Sequence, residues 1–424
     1  MSVGQPAAAR GKSGLFTYEN ALVLLLGSSF GFAFFDRQAL SFLTPFIVAD
    51  LHLNNTMVGA LASGLSLSWA ISSLVIAAWS DATGVRRPFL LGAILIFSLC
   101  SMLSGLAGSF VVLLAARVLM GTVEGPFLPI CLAIMATESS PHRRGLNVGV
   151  MQNMFSATFL FFAPFLLVWL AHAYGWRSAF FISAAPGFLL LLLVARFVRE
   201  PAKPAIAKPV VDAGPRLGLM QILSRRNIWL CCLISCCMVG WTVLLATFLP
   251  LYFVNFAHMP PADMSAVMST LGVATFISGP LVATLSDRVG RRPAMITFCL
   301  VGLIAPAGAY FFPASPFLAG AGILIGWLGS GVFSLFMGAI PGETVPARYA
   351  ATCMGLTIFV GEIVGGTLAP LIAGRVADLT TLQAPMIAAA ALTLGGAILS
   401  MFLVETAPTK LSGAAGDRRA SHPS

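Results

Sequence analysis

Five ionisable residues in the 424-residue sequence pose a chemical problem: Asp36, Arg37, Arg117, Glu124 and Glu362. Each sits inside an apolar run. The stretch GFAFFDRQALSFLTPF, residues 31–46, sets Asp36 beside Arg37, with no other charge between Ala21 and Ala49. A charge at the centre of a bilayer-embedded helix costs roughly 2.5–3.5 kcal/mol, so five unpaired charges would cost about 12–18 kcal/mol. Such groups must pair, change protonation state or face water. The types present suit anion binding and proton carriage. Arginine offers a carboxylate a fixed fork of donors, and a dry site favours the neutral form of a carboxyl group.

Spacing narrows the arrangement. Asp36 and Arg37 point about 100° apart on a helix and can still face one broad cavity. Arg117 and Glu124 are seven residues apart, two turns and about 10.5 Å along one face. That separation suits partners on another helix, with Arg117 near Asp36 and Glu124 near Arg37. Gln152, Asn153 and Ser156 on a following run offer neutral hydrogen bonds. Gly121, Gly125, Pro126 and Pro129 allow a bend beside Glu124. Two buried ion pairs that only glue helices together are the alternative, although desolvation makes such pairs poor stabilisers. The second half has no buried base. Among its neutral interior candidates (Trp241, Thr242, Thr247, Tyr252, Ser269, Trp327 and Ser330), Trp241 is the expected substrate contact.

The elements that must position these residues are membrane helices. The chain is 58% hydrophobic and 9% charged, with a mean hydropathy of +0.93, against about 25% charged residues in soluble domains. Twelve apolar runs reach the length of about 20 residues that a bilayer span needs, the first at 20–48 and the last at 383–404. They are too long and continuous for barrel strands. The first lacks a small-residue cleavage site and is expected to be retained. The expected organisation is an N-terminal tail (1–18), a six-helix bundle (19–197), a Pro- and Ala-rich linker (198–226), a second six-helix bundle (227–404) and a C-terminal tail (405–424). With the N-terminus cytoplasmic, Arg37 and Arg117 lie in the membrane and Arg177 and Arg375 at the outer face. All other Lys and Arg residues are cytoplasmic, which is the positive-inside bias. The net charge of +9 is therefore a topology signal, and no nucleic-acid partner is expected. The eight cysteines lie in or at the ends of apolar runs. Neither disulfides nor a metal cluster at Cys231, Cys232, Cys236 and Cys237 is expected; they read as small packing residues.

The halves echo each other. SDATGVRR at 80–87 matches SDRVGRR at 286–292, and ESSPHR at 138–143 matches ETVPAR at 343–348. The offsets agree to within one residue. These loops supply the expected gating charges: Asp81, Arg86, Arg87, Glu138, Arg143, Asp287, Arg291, Glu343 and Arg348. An Asp at a helix end can accept bonds from a facing helix N-terminus or from arginines, in contacts that form in one arrangement of the bundles and break in another.

On these motifs the chain resembles the major facilitator superfamily over its full length. That family's loop motif is G-x-x-x-D-R-x-G-R-R. The second half keeps Asp287, Arg288, Gly290, Arg291 and Arg292; the first keeps Asp81, Gly84, Arg86 and Arg87 but has Ala82. Ala77 and Ala283 replace the leading glycine. The resemblance implies an all-α membrane protein, with twelve transmembrane helices in two pseudo-symmetric six-helix bundles. D-R in the first span with R-x6-E in the fourth resembles the anion:cation symporter branch, which includes sugar-acid/proton symporters and vesicular glutamate transporters. Spinster-like lysolipid transporters resemble the same pattern.

The resemblance to the symporter branch implies that Arg37 and Arg117 hold a carboxylate and that Asp36 and Glu124 carry protons. Gln152, Asn153 and Trp241 join the expected substrate contacts and Glu362 the proton-coupling acids, although the anion symporters tend to have Asn at the place of Glu362. The implied function is secondary active transport of a small organic anion such as a sugar acid, coupled to protons by alternating access. Export of amphiphiles or drugs, including lysolipids, is the alternative. A non-transporting sensor or scaffold fits a retained two-half repeat poorly, and no enzyme motif or cofactor is expected. The expected state is a monomer in the inner or plasma membrane with both termini cytoplasmic.

Overall fold

In a computed structural model the described residues are 17–140, 142–201, 221, 224–408 and 410, without the side chains of Ala77, Ala78, Asp81, Ala347 and Arg348. Backbone polar groups have no water partner in hydrocarbon, so a chain this apolar must satisfy them internally, and helices do so within one segment. The described residues form helices joined by short turns. The N-terminal half comprises α1 (Tyr18–Leu51), α2 (Asn55–Thr83), α3 (Arg87–Gly105), α4 (Phe110–Glu138), α5 (Arg144–Tyr174) and α6 (Trp176–Phe197). The C-terminal half comprises α7 (Arg226–Phe256), α8 (Pro261–Val289), α9 (Arg291–Phe311), α10 (Pro316–Thr344), α11 (Tyr349–Leu379) and α12 (Ala384–Ser400). Eleven are long and apolar enough to cross a membrane; α12 is apolar but 17 residues long. Most of the expected linker and tails falls outside the described residues.

Local chemistry sets the ends and breaks. Thr17 accepts the N–H of Asn20 and caps α1, and Ser109 and Ser315 cap α4 and α10 in the same way. The α4 helix is interrupted at Gly125–Pro126, directly after Glu124: a proline has no N–H to give the preceding turn. Wide π-helical turns interrupt α5 at Val150–Met154 and α11 at Glu362–Leu368.

Packing repeats between the halves. The α1 helix packs on α5 and α6, as α7 does on α11 and α12; α2 packs on α4, as α8 does on α10; α3 packs on α6, as α9 does on α12. The seams α2–α11 and α5–α8, equivalent under the same repeat, join the halves together with a contact between α1 and α7. The outward faces carry exposed Leu24, Trp79, Phe162, Trp169 and Phe317, the surface that lipid tails solvate at no cost.

The repeated loops have one backbone shape. Gly84 and Gly290 both have positive φ, 65° and 111°, a region that a side chain disfavours. Each precedes the arginine pair that opens α3 or α9. With an even number of helices, the start of α1 and the end of α12 lie on the face that carries these loops, here called the terminal face.

Candidate functional site

The charged group lies in the N-terminal half, close to its seam with α11. Asp36 is fully buried, and Ser101 Oγ on α3 donates to its Oδ1 at 2.6 Å. Arg117 is 1% exposed, and its Nη2 donates to Ser104 Oγ at 3.2 Å. Two serines one helical turn apart on α3 thus hold the acid of α1 and the base of α4. Glu124 is buried at the break of α4. Arg37 is half-buried, with its guanidinium carbon 5.7 Å from the centre of the Trp69 ring on α2, within cation–π range.

The electrostatic neighbours are Asp36 for Arg117 and Arg37 for Glu124, while Arg37 also acts on Glu362. Arg117 also acts on Glu124, two turns along the same helix, so the charges form one field and not two isolated pairs. Among the described residues no ion pair closes within 4.0 Å inside this group. Asp36 Oδ2, Glu124 Oε1, Glu362 Oε2, Arg117 Nε and Arg117 Nη1 are buried without a hydrogen-bond partner among the described residues. Unmade bonds to buried charged groups are costly. These atoms have bonding capacity that the described residues leave unused.

Glu362 opens the π-helical turn of α11, beside Ser66 of α2. Glycines bring the backbone this close. A Cβ at Gly366 would lie 3.1 Å from Ser66 Oγ, and one at Gly365 would collide with the Cys236 carbonyl of α7.

Other expected contacts sit elsewhere. Gln152 is half-buried and Asn153 exposed on the wide turn of α5. Asn153 faces Gly279 on the α5–α8 seam, and Ser156 bonds back to the Gln152 carbonyl of its own helix. Trp241 is fully buried in the C-terminal half, 5.1 Å from Trp327 between ring centres, and lines no open surface in this conformation. Its Nε1 has no partner among the described residues, whereas Trp327 Nε1 donates to Thr275 Oγ1 at 3.0 Å.

The expected gating charges form clusters within each half. Arg291 pairs with Asp287 at 2.6 Å and with Glu343 at 2.8 Å. Arg86 Nη1 donates to the Ala133 carbonyl of α4 at 3.0 Å, and Arg87 to the Ala195 carbonyl of α6. Arg143 Nη2 donates to Asn20 Oδ1 at 2.8 Å and lies 4.0 Å from Glu19. Glu138 is half-buried. The side chains of Asp81 and Arg348 lie outside the described residues.

Among the acids that the sequence analysis does not single out, Glu200 and Glu405 form a matched pair. Glu200 accepts the backbone N–H groups of Arg86 and Arg87 at 2.6 and 2.9 Å. Glu405 accepts those of Arg291 and Arg292 at 2.7 and 3.1 Å. Each sits at the positive N-terminal end of α3 or α9. Their offset of 205 residues matches that of the loop repeats, and that was the available signal. Glu405 is partly desolvated, which opposes ionisation. Backbone N–H groups of Ala407, Arg291, Arg292 and Thr406 outweigh this and hold its carboxyl below the usual range.

At the opposite face the α2–α11 seam is clasped. Asp378 near the end of α11 accepts the N–H groups of Asn55 and Thr56 at the start of α2, both at 2.8 Å, together with the Thr56 hydroxyl at 2.5 Å. Deeper on the same seam, Ser63 Oγ donates to the Thr367 carbonyl at 2.6 Å. A Cβ at Gly59 would collide with the Pro370 carbonyl, and one at Gly374 with that of Asn55.

Comparison with known proteins places this geometry. The family model described as Major Facilitator Superfamily matches residues 26–365. A relative from Cupriavidus pinatubonensis (strain JMP 134 / LMG 1197), described as "Probable 4-methylmuconolactone transporter", is 29% identical over 338 residues, 78% of each chain. One from Escherichia coli (strain K12), described as "Probable galactarate/D-glucarate transporter", is 23% identical and covers 89% of this chain and 91% of its own. Among solved structures, a bacterial homologue of the human lysosomal transporter Spinster, inward-facing and unoccupied, superposes with a TM-score of 0.77. It is 19% identical and covers 92% of this chain and 97% of its own.

Proposed function

Because the chain belongs to the major facilitator superfamily, we propose that this membrane transporter moves a small organic carboxylate together with protons by alternating access. The observation that carries the reading is the group of buried Asp36, Arg117 and Glu124 with half-buried Arg37, which leaves five polar atoms unpartnered among the described residues when Glu362 is included. Relatives described as carrying 4-methylmuconolactone and galactarate or D-glucarate support an acid or acid-derived substrate.

In the proposed cycle, protons reach Asp36 and Glu124 and cancel their hold on the two arginines. A carboxylate then docks on the freed guanidinium of Arg37. With the charges balanced, occlusion in a low-dielectric passage costs less, and the bundles rock. On the other side the protons leave, the acids draw the bases back and the anion departs. The Asp378 clamp at the face opposite the termini, with charge clusters confined to each half at the terminal face, supports an inward-open state if the termini are cytoplasmic. The proposed site of action is the cell membrane.

A second reading, export of amphiphiles or drugs, draws on the Spinster-homologue fold and on relatives described as multidrug resistance proteins. Proteoliposomes test the two. Uptake of radiolabelled carboxylates driven by an imposed pH gradient, and abolished by a protonophore, is the expected result. Transport of lysolipid or dye without carboxylate uptake would overturn the proposal.

A further inference from the structure

We infer that Glu362 makes this site selective for monocarboxylates by denying a second carboxylate a place to sit. The inference rests on the carboxylate reading above and goes further in naming the class of acid and the residue that sets it.

The two bases are not equally available. Arg117 is 1% exposed and bonded to Ser104, with Asp36 as its main electrostatic partner. Arg37 is half-buried, and its nearest described contact is the face of Trp69. One guanidinium can therefore be reached, and it has an aromatic ring beside it. A carboxylate seated there occupies the fork of Arg37 and presents the rest of its skeleton to the surrounding walls.

Those walls carry acids. Glu124 lies on the N-terminal side and Glu362 on the C-terminal side, both within the field of Arg37. Glu362 is the one ionisable side chain in the middle of a C-terminal span, and its Oε2 is buried without a hydrogen-bond partner among the described residues. A hydroxyl or an amide of the substrate would satisfy that oxygen. A second carboxylate would meet a like charge on the ionised form of Glu362, with no base on that side to offset it. Like charges about 6 Å apart in a medium of effective dielectric about 20 disfavour such a ligand by roughly 100-fold. A neutral glutamic acid would remove the repulsion, but only by carrying an extra proton for each dianion.

The test uses two acids that share a skeleton and differ by one carboxylate, D-gluconate and D-glucarate. Binding to the purified full-length protein is measured by thermal shift and by competition against whichever labelled carboxylate the proteoliposomes accumulate. Wild-type protein is expected to prefer gluconate by at least tenfold. Glu362→Gln keeps the shape and removes the charge, and is expected to cut the preference for gluconate over glucarate, read as the ratio of the two affinities, at least tenfold. Glu362→Asn provides a second variant if the first is poorly folded. Equal wild-type affinity for the two acids, or a parallel change for both in a folded variant, would overturn the selectivity role and leave the transport reading standing. Absence of binding by every carboxylate in the transport panel would overturn both.

Discussion

Arg37 is the residue on which the proposed chemistry turns, because its guanidinium is the one base of the buried group with an open side. Lysine keeps the charge but loses the planar fork. Arg37→Lys is therefore expected to raise the apparent KM for the transported carboxylate about 10- to 100-fold, and Arg37→Ala to abolish uptake, both read in proteoliposomes. Glu124→Gln separates coupling from binding. Accumulation against a gradient should fall at least tenfold, while exchange of internal for external substrate persists. Unchanged, pH-dependent accumulation in that variant would remove Glu124 from the proton path. At this scale the sequence was informative where charge stood out against grease: all five ionisable residues lie where apolar context placed them. Ser101 and Ser104 were missed because serines are common in membrane helices. Their spacing of three, continuing from Ser98, was the trace that a face-by-face reading of α3 would have caught.

Among the elements, the paired acids Glu200 and Glu405 show how the repeat is built. Each neutralises the start of the helix that follows a positive-φ glycine, so loop, helix end and distant acid form one unit. Glu405 adds stability through its ionised form, since folding lowers its carboxyl below the ordinary value of 4.5. That contribution is present above the ordinary value and is lost as pH falls through the lower, folded one. Glu405→Gln should lower stability at pH 7 by about 1 kcal/mol, discounted for its partial exposure. It should also flatten the loss of stability below about pH 4.5, as measured by thermal unfolding in detergent. Helix number and order were legible in the sequence because hydrophobic length is a strong signal. The wide turns in α5 and α11 were not, because such turns arise from how neighbouring backbones meet and leave no compositional mark.

At the scale of the whole molecule, Asp378 and the start of α2 clasp the two halves together at one face. A Thr56→Cys, Asp378→Cys pair tests that clasp. Oxidation is expected to cross-link the pair readily and to stop transport, and a reductant to restore it. Rapid uptake by the cross-linked protein would show that the face need not open. The two-half plan could be inferred from matched offsets in short loops, whereas the conformation could not. The loop motifs are the same whichever face is shut, and a difference of a few kcal/mol between two packings decides which is populated.

The seams between the halves are largely smooth. On α2–α11, Gly59, Gly366 and Gly374 lie against the opposing chain, and on α5–α8, Gly272 presses on the backbone of Phe161 while Gly279 faces Asn153. Surfaces of this kind have few protruding knobs to unlock, so one half can roll over the other in small steps with little friction. In the proposed cycle the glycines would serve as a bearing, with the polar clasps at the rim as the contacts to be broken.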